Sequence, residues 1–423
     1  MTLDQVLCNS TESTLSCGSC RSCGSRGLQV VLPLGQTPLA NALLASDHRG
    51  ESEERYPLNL AFCSRCALLQ ILETVAPERL FRRYLYFSSF SDTVLQHSEQ
   101  IVNRMIERRR LDSKSLVIEA ASNDGYLLQY YKRRGIPVLG IEPALNVALE
   151  AEQKRGIRTL REFFGRDLGD RLRAEGARAD VIHAHNVLAH VPDLHGFISG
   201  IRSVLKDNAV VIIEVPYVRE MIERCEFDTI YHEHLCYFSL TVLDPLFARH
   251  GLVVEDVERL PIHGGSLRLF IAPAETARRR ESVSGLLQEE EAWKVRDIET
   301  YAALRPRAEK VRTGLVELLR RLAGEGKRLA AYGAAAKGST LLNYCGIGQD
   351  LLEFVVDRNV HKQGLLMPGV HVPICPPSKV AESMPDYVLL LGWNFADEIL
   401  SREDVYRQRG GRFIVPIPEP RII

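Results

Sequence analysis

The chain carries almost no net charge: 53 lysines and arginines stand against 54 aspartates and glutamates. Proteins built to bind nucleic acid or an anionic membrane show a marked basic excess. Neither is expected as a partner here, although a local basic pocket is compatible with the balance. The sequence also lacks any apolar run near the ~20 residues that a membrane span requires. Its first residues, "MTLDQVLCNSTEST", contain no basic stretch followed by an apolar one, so no secretory leader is expected. These absences predict a cytoplasmic protein. Two phosphate-binding signatures are missing as well. Without GxGxxG or a Walker lysine, a dinucleotide or a nucleoside triphosphate is disfavoured.

What is present is a 423-residue chain, long enough for two or three domains, with 45% hydrophobic and 25% charged residues. Six of its ten cysteines crowd the first 66 positions: Cys8, Cys17, Cys20, Cys23, Cys63 and Cys66. In a cytosolic chain such a cluster points to metal or packing and not to disulfides. Cys20-x2-Cys23 and Cys63-x2-Cys66 form two knuckles whose four thiolates suit tetrahedral Zn2+. Four protein ligands close the coordination shell, which makes the metal structural. The 39 residues between the knuckles exceed an ordinary ribbon loop, so an insertion sits there. Buried cysteines or a redox pair are the other readings. Cys17 competes with Cys20, which is preferred because "CRSCGS" supplies a glycine turn after the second thiolate.

Beyond a boundary near residues 75–95, where "APERLFRRYLYF" patterns as helix, strands and helices alternate. "SLVIEA", "PVLGIEP", "ADVIHAHNVL", "AVVIIEVPY" and "LVVEDVERL" read as strands. "YLLQYYKRRG", "HGFISGIRSVLK" and "TVLDPLFARHG" read as helices, and a hairpin is expected around Gly264–Gly265. Alternation of this kind predicts an open, mostly parallel sheet. The charged stretches "RRRESVSGLLQEEEAWKVRDIETYAAL" and "RAEKVRTGLVELLRRLAGEG" predict a solvated pair of linker helices. A second α/β unit begins at Arg328. In both units a strand ends in a small-residue turn and an acid closes the next strand: Glu142 after "ASNDG", Asp357 after "YGAAAKG". The interval is near the ~20 residues between turn and ribose-binding acid in nucleotide βαβ units, a weak sign of duplication and of two nucleotide-like sites.

In "VIEAASNDGYLL", Glu119, Ala121, Ser122, Asn123 and Gly125 mark a strand-to-helix turn that a ligand can approach. With Glu142 offered to ribose hydroxyls, the pattern suits S-adenosylmethionine, while a generic α/β turn fits equally well. Asn186 and His190, in "HNVLAHVPDL", fall at the C-terminal end of a later strand, on the ligand side of such sheets. His190 is either a contact or a packed capping group. "TIYHEHLCYFS", from Thr229 to Ser239, follows the next strand and lies over the same rim. It offers HxH to a metal, but no third ligand stands nearby. Acid–base work fits better, since a neutral histidine titrates near pH 6.5 and a carboxylate beside it orients the ring.

Taken together, "CRSCG" with "PLNLAFCSRCALLQ", "YLYFSSFSDT", "EAASNDGYLLQ", "NVLAHVPDL", "EFDTIYHEHLCYFS", "HGGSLR", "YGAAAKG", "FVVDRN" with the following "HKQG", and "LGWNFADEI" run in order from about residue 20 to about 400. In this co-linear set the chain resembles the S-adenosylmethionine-dependent sugar C-methyltransferases, which act on nucleotide-linked ketosugars. The resemblance implies an α/β protein of three parts. These are a zinc-binding domain (1–80), a class I, Rossmann-like methyltransferase domain (81–280) and a Rossmann-like nucleotide-sugar domain (281–423). It implies S-adenosyl-L-methionine and structural Zn2+ as cofactors. The substrate would be a nucleotide-linked ketosugar, such as a dTDP-sugar methylated at C-3 beside a 4-ketone, and the protein a monomer or weak oligomer. His234 becomes the base, with Tyr231, His232 and Glu233 orienting substrate and steadying the enolate. Tyr86 is placed near the donor, and Lys337, Asp357 and Arg358 in the nucleotide-sugar pocket. Two departures stand out: Ala121 replaces the glycine of many donor turns, and Cys236 adds bulk after the YHEH run. A non-sugar ketone or β-keto acid as acceptor, or a non-catalytic zinc and nucleotide-binding module, are the competing readings.

Overall fold

Seven strands form the central sheet, in the spatial order Thr159–Leu160, Val138–Ile141, Val117–Ala120, Ala179–His185, Leu205–Pro216, Ser266–Pro273, Leu252–Leu260. The first five run parallel, and the last two form the antiparallel hairpin that turns through Gly264 and Gly265 at positive φ. This is a computed structural model, and it describes residues 14–16, 18–48, 52–82 and 84–423. Cys8 and Cys17 fall outside the described residues. Four of the five parallel strands match apolar runs read from the sequence; the edge strand Thr159–Leu160 is not among them, and the fifth run, "LVVEDVERL", is the hairpin strand Leu252–Leu260. The helices Leu128–Arg133, Leu194–Val204 and Leu240–Ala248 occupy the positions expected between them. Among the described residues, no helix is long and apolar enough to cross a membrane.

A second parallel sheet, ordered Ile374–Cys375, Val355–Val356, Leu329–Tyr332, Tyr387–Leu390, Arg412–Val415, ends in the antiparallel strand Arg421–Ile422. It repeats one detail of the first. The carboxylate closing the second strand braces the turn after the first: Glu142 accepts from Asn123 N at 3.1 Å, and Asp357 accepts from Ala334 N at 2.7 Å.

The cysteine-bearing domain is an antiparallel sheet of Leu28–Thr37, Tyr56–Cys63 and Leu69–Ile71, completed by Cys236–Tyr237 from the YHEH loop. The Sγ atoms of Cys20, Cys23, Cys63 and Cys66 lie within 4.8 Å of one another, Cys20 to Cys66 at 3.5 Å and Cys23 to Cys63 at 3.6 Å. A tetrahedron with Zn–S bonds of ~2.3 Å has edges of about 3.8 Å, so the four thiols fit zinc. Each knuckle closes through a residue at positive φ, Gly24 and Ala67. The 39-residue spacing also has a structural use. Inserted chain leaves the sheet and docks on the C-terminal unit. There Leu44–Ala45 pairs with Leu365–Leu366, Ser339 Oγ donates to the Ala40 carbonyl at 2.7 Å, and Glu53 accepts from Gly369 N at 2.8 Å and pairs with His371 Nε2 at 2.6 Å.

Two expectations need correction. "YLYF" is not helical: the helix covers only Pro77–Phe81, and the chain from Tyr84 runs on as an irregular strap. Distant asparagines capture its backbone groups. Asn146 takes Tyr84 N and O, Asn359 Nδ2 donates to Leu85 O at 2.6 Å, and Asn123 holds Tyr86 O and Ser88 N. With those partners the strap satisfies its polar groups without a helical ladder. The charged helices are also not a solvated pair. Leu304–Gly324 buries Leu304, Ala308, Val311, Leu315, Leu319 and Leu322, an i+3/i+4 stripe. In Glu281–Ala292, fully buried Glu290 caps the helix Leu240–Ala248, accepting from Leu240 N at 2.8 Å, Thr241 N at 2.7 Å and Thr241 Oγ1 at 2.6 Å.

Hydrogen bonds to a charged partner contribute ~1.5–3 kcal/mol. Glu290→Ala should therefore lower the unfolding free energy by about 3 kcal/mol in urea titrations, with Glu290→Gln losing less. Metal analysis should find one zinc per chain. Its removal by chelator, or Cys63→Ser, should lower the first melting transition by more than about 5 °C.

Candidate active site

Strand order reverses between Val117–Ala120 and Ala179–His185, and ligands of open α/β sheets bind at that point, beyond the carboxyl ends of the strands. His183 pairs with Glu119 across this junction, so Asn186 and Ser122 lie at the same height on neighbouring strands. The turn after the first strand is tight, with Ala121, Asn123 and Gly125 at φ of 55°, 48° and 75°. At Gly125 any Cβ would sit 2.5 Å from Ile157 Cδ1. Ala121 holds a left-handed conformation that costs an L-residue ~1–2 kcal/mol.

Acceptor atoms dominate this rim. Both Glu119 carboxylate oxygens, Ser122 Oγ, Asp124 Oδ1 and Asn186 Oδ1 are buried without a hydrogen-bond partner. Burial, against the pull of the nearby Tyr126 hydroxyl and with Asp124, Glu142 and Glu214 adding to it, pushes Glu119 well above the usual carboxylate range. Glu142 accepts one backbone N–H at each oxygen, from Asn123 and Ala144, and keeps a second lone pair on each. Its burial pushes it up to about 7. Orphaned buried polar atoms cost ~1–3 kcal/mol each. A cluster of acceptors suits a ligand that brings its own N–H and O–H donors, as S-adenosylmethionine does with its ammonium group and ribose diol.

The YHEH loop approaches the same rim, and its four side chains part company. His234 Nδ1 lies 2.8 Å from the Thr229 carbonyl, which can only accept, so Nδ1 carries the proton. Nε2 is then the basic nitrogen, and it accepts from the Tyr231 hydroxyl at 2.9 Å. The His190 ring stands edge-on to His234, centroids 4.8 Å apart, and burial pulls it down to about 4, in the neutral form. Glu233 is 3% exposed and takes hydrogen bonds from Asn41 Nδ2 at 2.7 Å and Tyr84 OH at 3.2 Å. Burial pushes it up to about 7, against the pull of those donors and of the Lys362 charge. His232 turns the other way. Its Nε2 donates to the Pro57 carbonyl at 2.9 Å, and its ring packs on Tyr56 of the cysteine domain.

Tyr86, on the strap, is 42% exposed with its ring 6.3 Å from that of Tyr84. In the C-terminal unit Lys337 lies over the Trp393 ring, 4.9 Å from its centroid, and its Nζ is buried without a hydrogen-bond partner. Two buried acids, Glu226 and Asp228, lie within its electrostatic reach. Arg358 is engaged elsewhere, with Glu398 at 3.1 Å, and Asp357 uses both oxygens on Ala334 N and Asn359 N. The structure thus gathers Tyr231, Glu233, His234 and His190, and separately Glu119, Ser122, Asn123, Gly125, Glu142 and Asn186. It does not bring His232 or Arg358 to either group. Sequence reasoning overlooked Asn41, Tyr84, Lys362, Asp228 and Trp393. Tyr84 and Asp228 stood within motifs singled out for the reaction centre, "YLYFSSFSDT" and "EFDTIYHEHLCYFS", and Lys362 and Trp393 within "HKQG" and "LGWNFADEI", while Asn41 lay in none.

Three family models match the chain in order. These are a zinc binding domain over residues 20–81, a methyltransferase domain over 92–257 and a C-methyltransferase C-terminal domain over 261–418. The C-methyltransferase NovU of Streptomyces niveus is 39% identical over 394 residues, 93% of this chain and 94% of that protein. Solved structures are similar over less of the chain. Magnesium protoporphyrin IX methyltransferase from Synechocystis, with bound SAM, is 16% identical at a TM-score of 0.33, over 42% of this chain and 79% of its own. An S-adenosylmethionine-dependent methyltransferase from Clostridium acetobutylicum is 12% identical at 0.33, over 42% and 90%. Likenesses this slight add nothing to the assignment, which rests on the family models and the full-length relative. The chain belongs to the C-methyltransferase family, enzymes that use S-adenosylmethionine as methyl donor and carry a cysteine-cluster zinc domain at the N-terminal end.

Proposed function

We propose that the enzyme methylates the carbon beside the ketone of a nucleotide-linked deoxysugar, C-3 of a 4-keto sugar such as a dTDP-sugar, in deoxysugar or natural-product biosynthesis. The observation that carries the reading is the Tyr231–His234 pair. The Thr229 carbonyl fixes the His234 tautomer and leaves Nε2 as a base on a tyrosine hydroxyl. A base in that state removes the proton next to a carbonyl, and the hydroxyl at its side can donate to the enolate oxygen that forms. Bound S-adenosylmethionine supplies the electrophilic methyl group. Glu119, Ser122, Asn123, Gly125, Glu142 and Asn186 would hold it, and Tyr86 and His190 would border the reacting carbon. Alignment of enolate and methyl is then the main contribution of the protein.

The nucleotide part is assigned to the C-terminal unit. Lys337 lies one residue inside the N-terminus of the helix Ala336–Cys345, and its unpartnered ammonium suits a diphosphate. Asp357 borders the same turn. Arg358 would have to leave Glu398 to contribute.

His234→Ala should reduce turnover of a nucleotide-linked 4-ketosugar by about 10³-fold and leave donor binding intact. In D2O without donor, the wild type should exchange the proton beside the ketone, and the variant should not. Near-normal exchange in the variant would place the base elsewhere. Calorimetry with a nucleoside diphosphate tests the acceptor class, since a C-terminal unit that binds none would favour a non-sugar ketone. Glu142 gives a pH test. Its raised pKa leaves the acid partly protonated below pH 7, and ribose hydroxyls bind the carboxylate better. Donor affinity should therefore rise as pH increases through about 7, and Glu142→Gln should flatten that dependence.

A further inference from the structure

The loop between the cysteine pairs reaches further than a structural insertion requires. Asn41 crosses from the cysteine domain and donates to Glu233 Oε1 at 2.7 Å, while the strap supplies the Tyr84 hydroxyl to Oε2. The loop is itself clamped. Ser339, at the start of the C-terminal unit's first helix, holds the carbonyl of Ala40, the residue just before Asn41. Leu44–Ala45 fixes the far side by pairing with Leu365–Leu366. A loop serving only the metal would need neither clamp.

We propose that the segment inserted between the two cysteine pairs is a wall of the catalytic site, and that Asn41 is the positioning residue that holds the Glu233 carboxylate. The role rests on the acid–base reading of the YHEH loop given above. Two N–H or O–H donors, one at each oxygen, favour the ionised carboxylate. That carboxylate fixes the Tyr84 hydroxyl, which keeps the strap and its Tyr86 beside the donor rim. The groups facing Glu233 come from every element around it. They are Asn41 of the inserted loop, Tyr84 of the strap, Lys362 of the C-terminal unit, Tyr231 of its own loop, and the His190 ring, which meets the Glu233 backbone. With Lys362 and Tyr84 unchanged, loss of the Asn41 amide removes one donor to the charged form. Protonation of Glu233 then becomes easier, and its titration moves to higher pH.

The test uses the zinc-loaded, full-length enzyme. pH-difference infrared spectroscopy follows the protonated-carboxyl band of Glu233, identified by its absence in Glu233→Gln. In Asn41→Ala the midpoint should rise by about one pH unit. In Asn41→Asp, which sets a second acid against the first, it should rise further. The acid limb of kcat against pH should move by the same amount. An unmoved midpoint in both variants overturns the assignment. A limb that stays in place while the midpoint moves overturns the catalytic role of the contact. If the wild type turns over no nucleotide-linked ketone and yet the midpoint moves, the substrate reading above fails while the hold of Asn41 on Glu233 stands.

Discussion

A two-residue pairing governs the site. Cys236 and Tyr237, directly after the YHEH run, add a strand to the cysteine domain by pairing with Gln70 and Leu69. The loop is thus anchored at one end to the donor sheet through the strand Leu205–Pro216 and at the other to a sheet in a different domain. A one-residue slip of that pairing would turn each side chain of the short strand to the other face of the sheet. Within that span the chain turns, with His234 N donating to the Tyr231 carbonyl at 2.9 Å, so that the i and i+3 side chains meet. His232 and the Tyr56 ring seal the domain contact, while Tyr231 and His234 face the other way and meet each other.

The same division explains what the sequence could and could not show. Parallel strands buried on both faces read as apolar runs, and glycines at positive φ punctuate them, so the central sheet and the turn at Ala121–Gly125 were visible in local patterns. The cysteine pairs were equally legible, because metal geometry constrains spacing within each knuckle. The strap at Tyr84–Ser88 was not. Aromatic residues after a helical segment look like more helix, and the asparagines that hold its backbone in place, Asn123, Asn146 and Asn359, come from three separate segments. Adjacent histidines in a loop were legible as chemistry but not as direction. Only the Pro57 carbonyl and the Thr229 carbonyl tell them apart.

Charge is managed by burial more than by pairing. Glu119, Glu142 and Glu233 are all pushed upward by desolvation, and each has donors or open lone pairs in place of a salt-bridge partner. Glu214 is the contrast. It is buried too, but against that desolvation His185 at 3.6 Å, His97 at 2.8 Å and Arg268 at 2.6 Å hold it below the ordinary carboxylate range. Paired charge thus stiffens the sheet and unpaired acids line the rim, a division that leaves the rim able to respond to a ligand.

The three units interlock through short borrowed pieces: a strand given to the cysteine-domain sheet, a loop laid on the C-terminal unit, and a strap held by asparagines of the methyltransferase domain and the C-terminal unit. Boundaries drawn along the chain therefore differ from boundaries drawn in space. A chimaera that exchanged the C-terminal unit alone would keep its new sheet but inherit a foreign partner for Leu44–Ala45, Ala40 and Leu85. Moving the C-terminal unit between relatives with its contacts intact would mean moving three non-contiguous stretches as one graft: the inserted loop, the strap and the C-terminal unit.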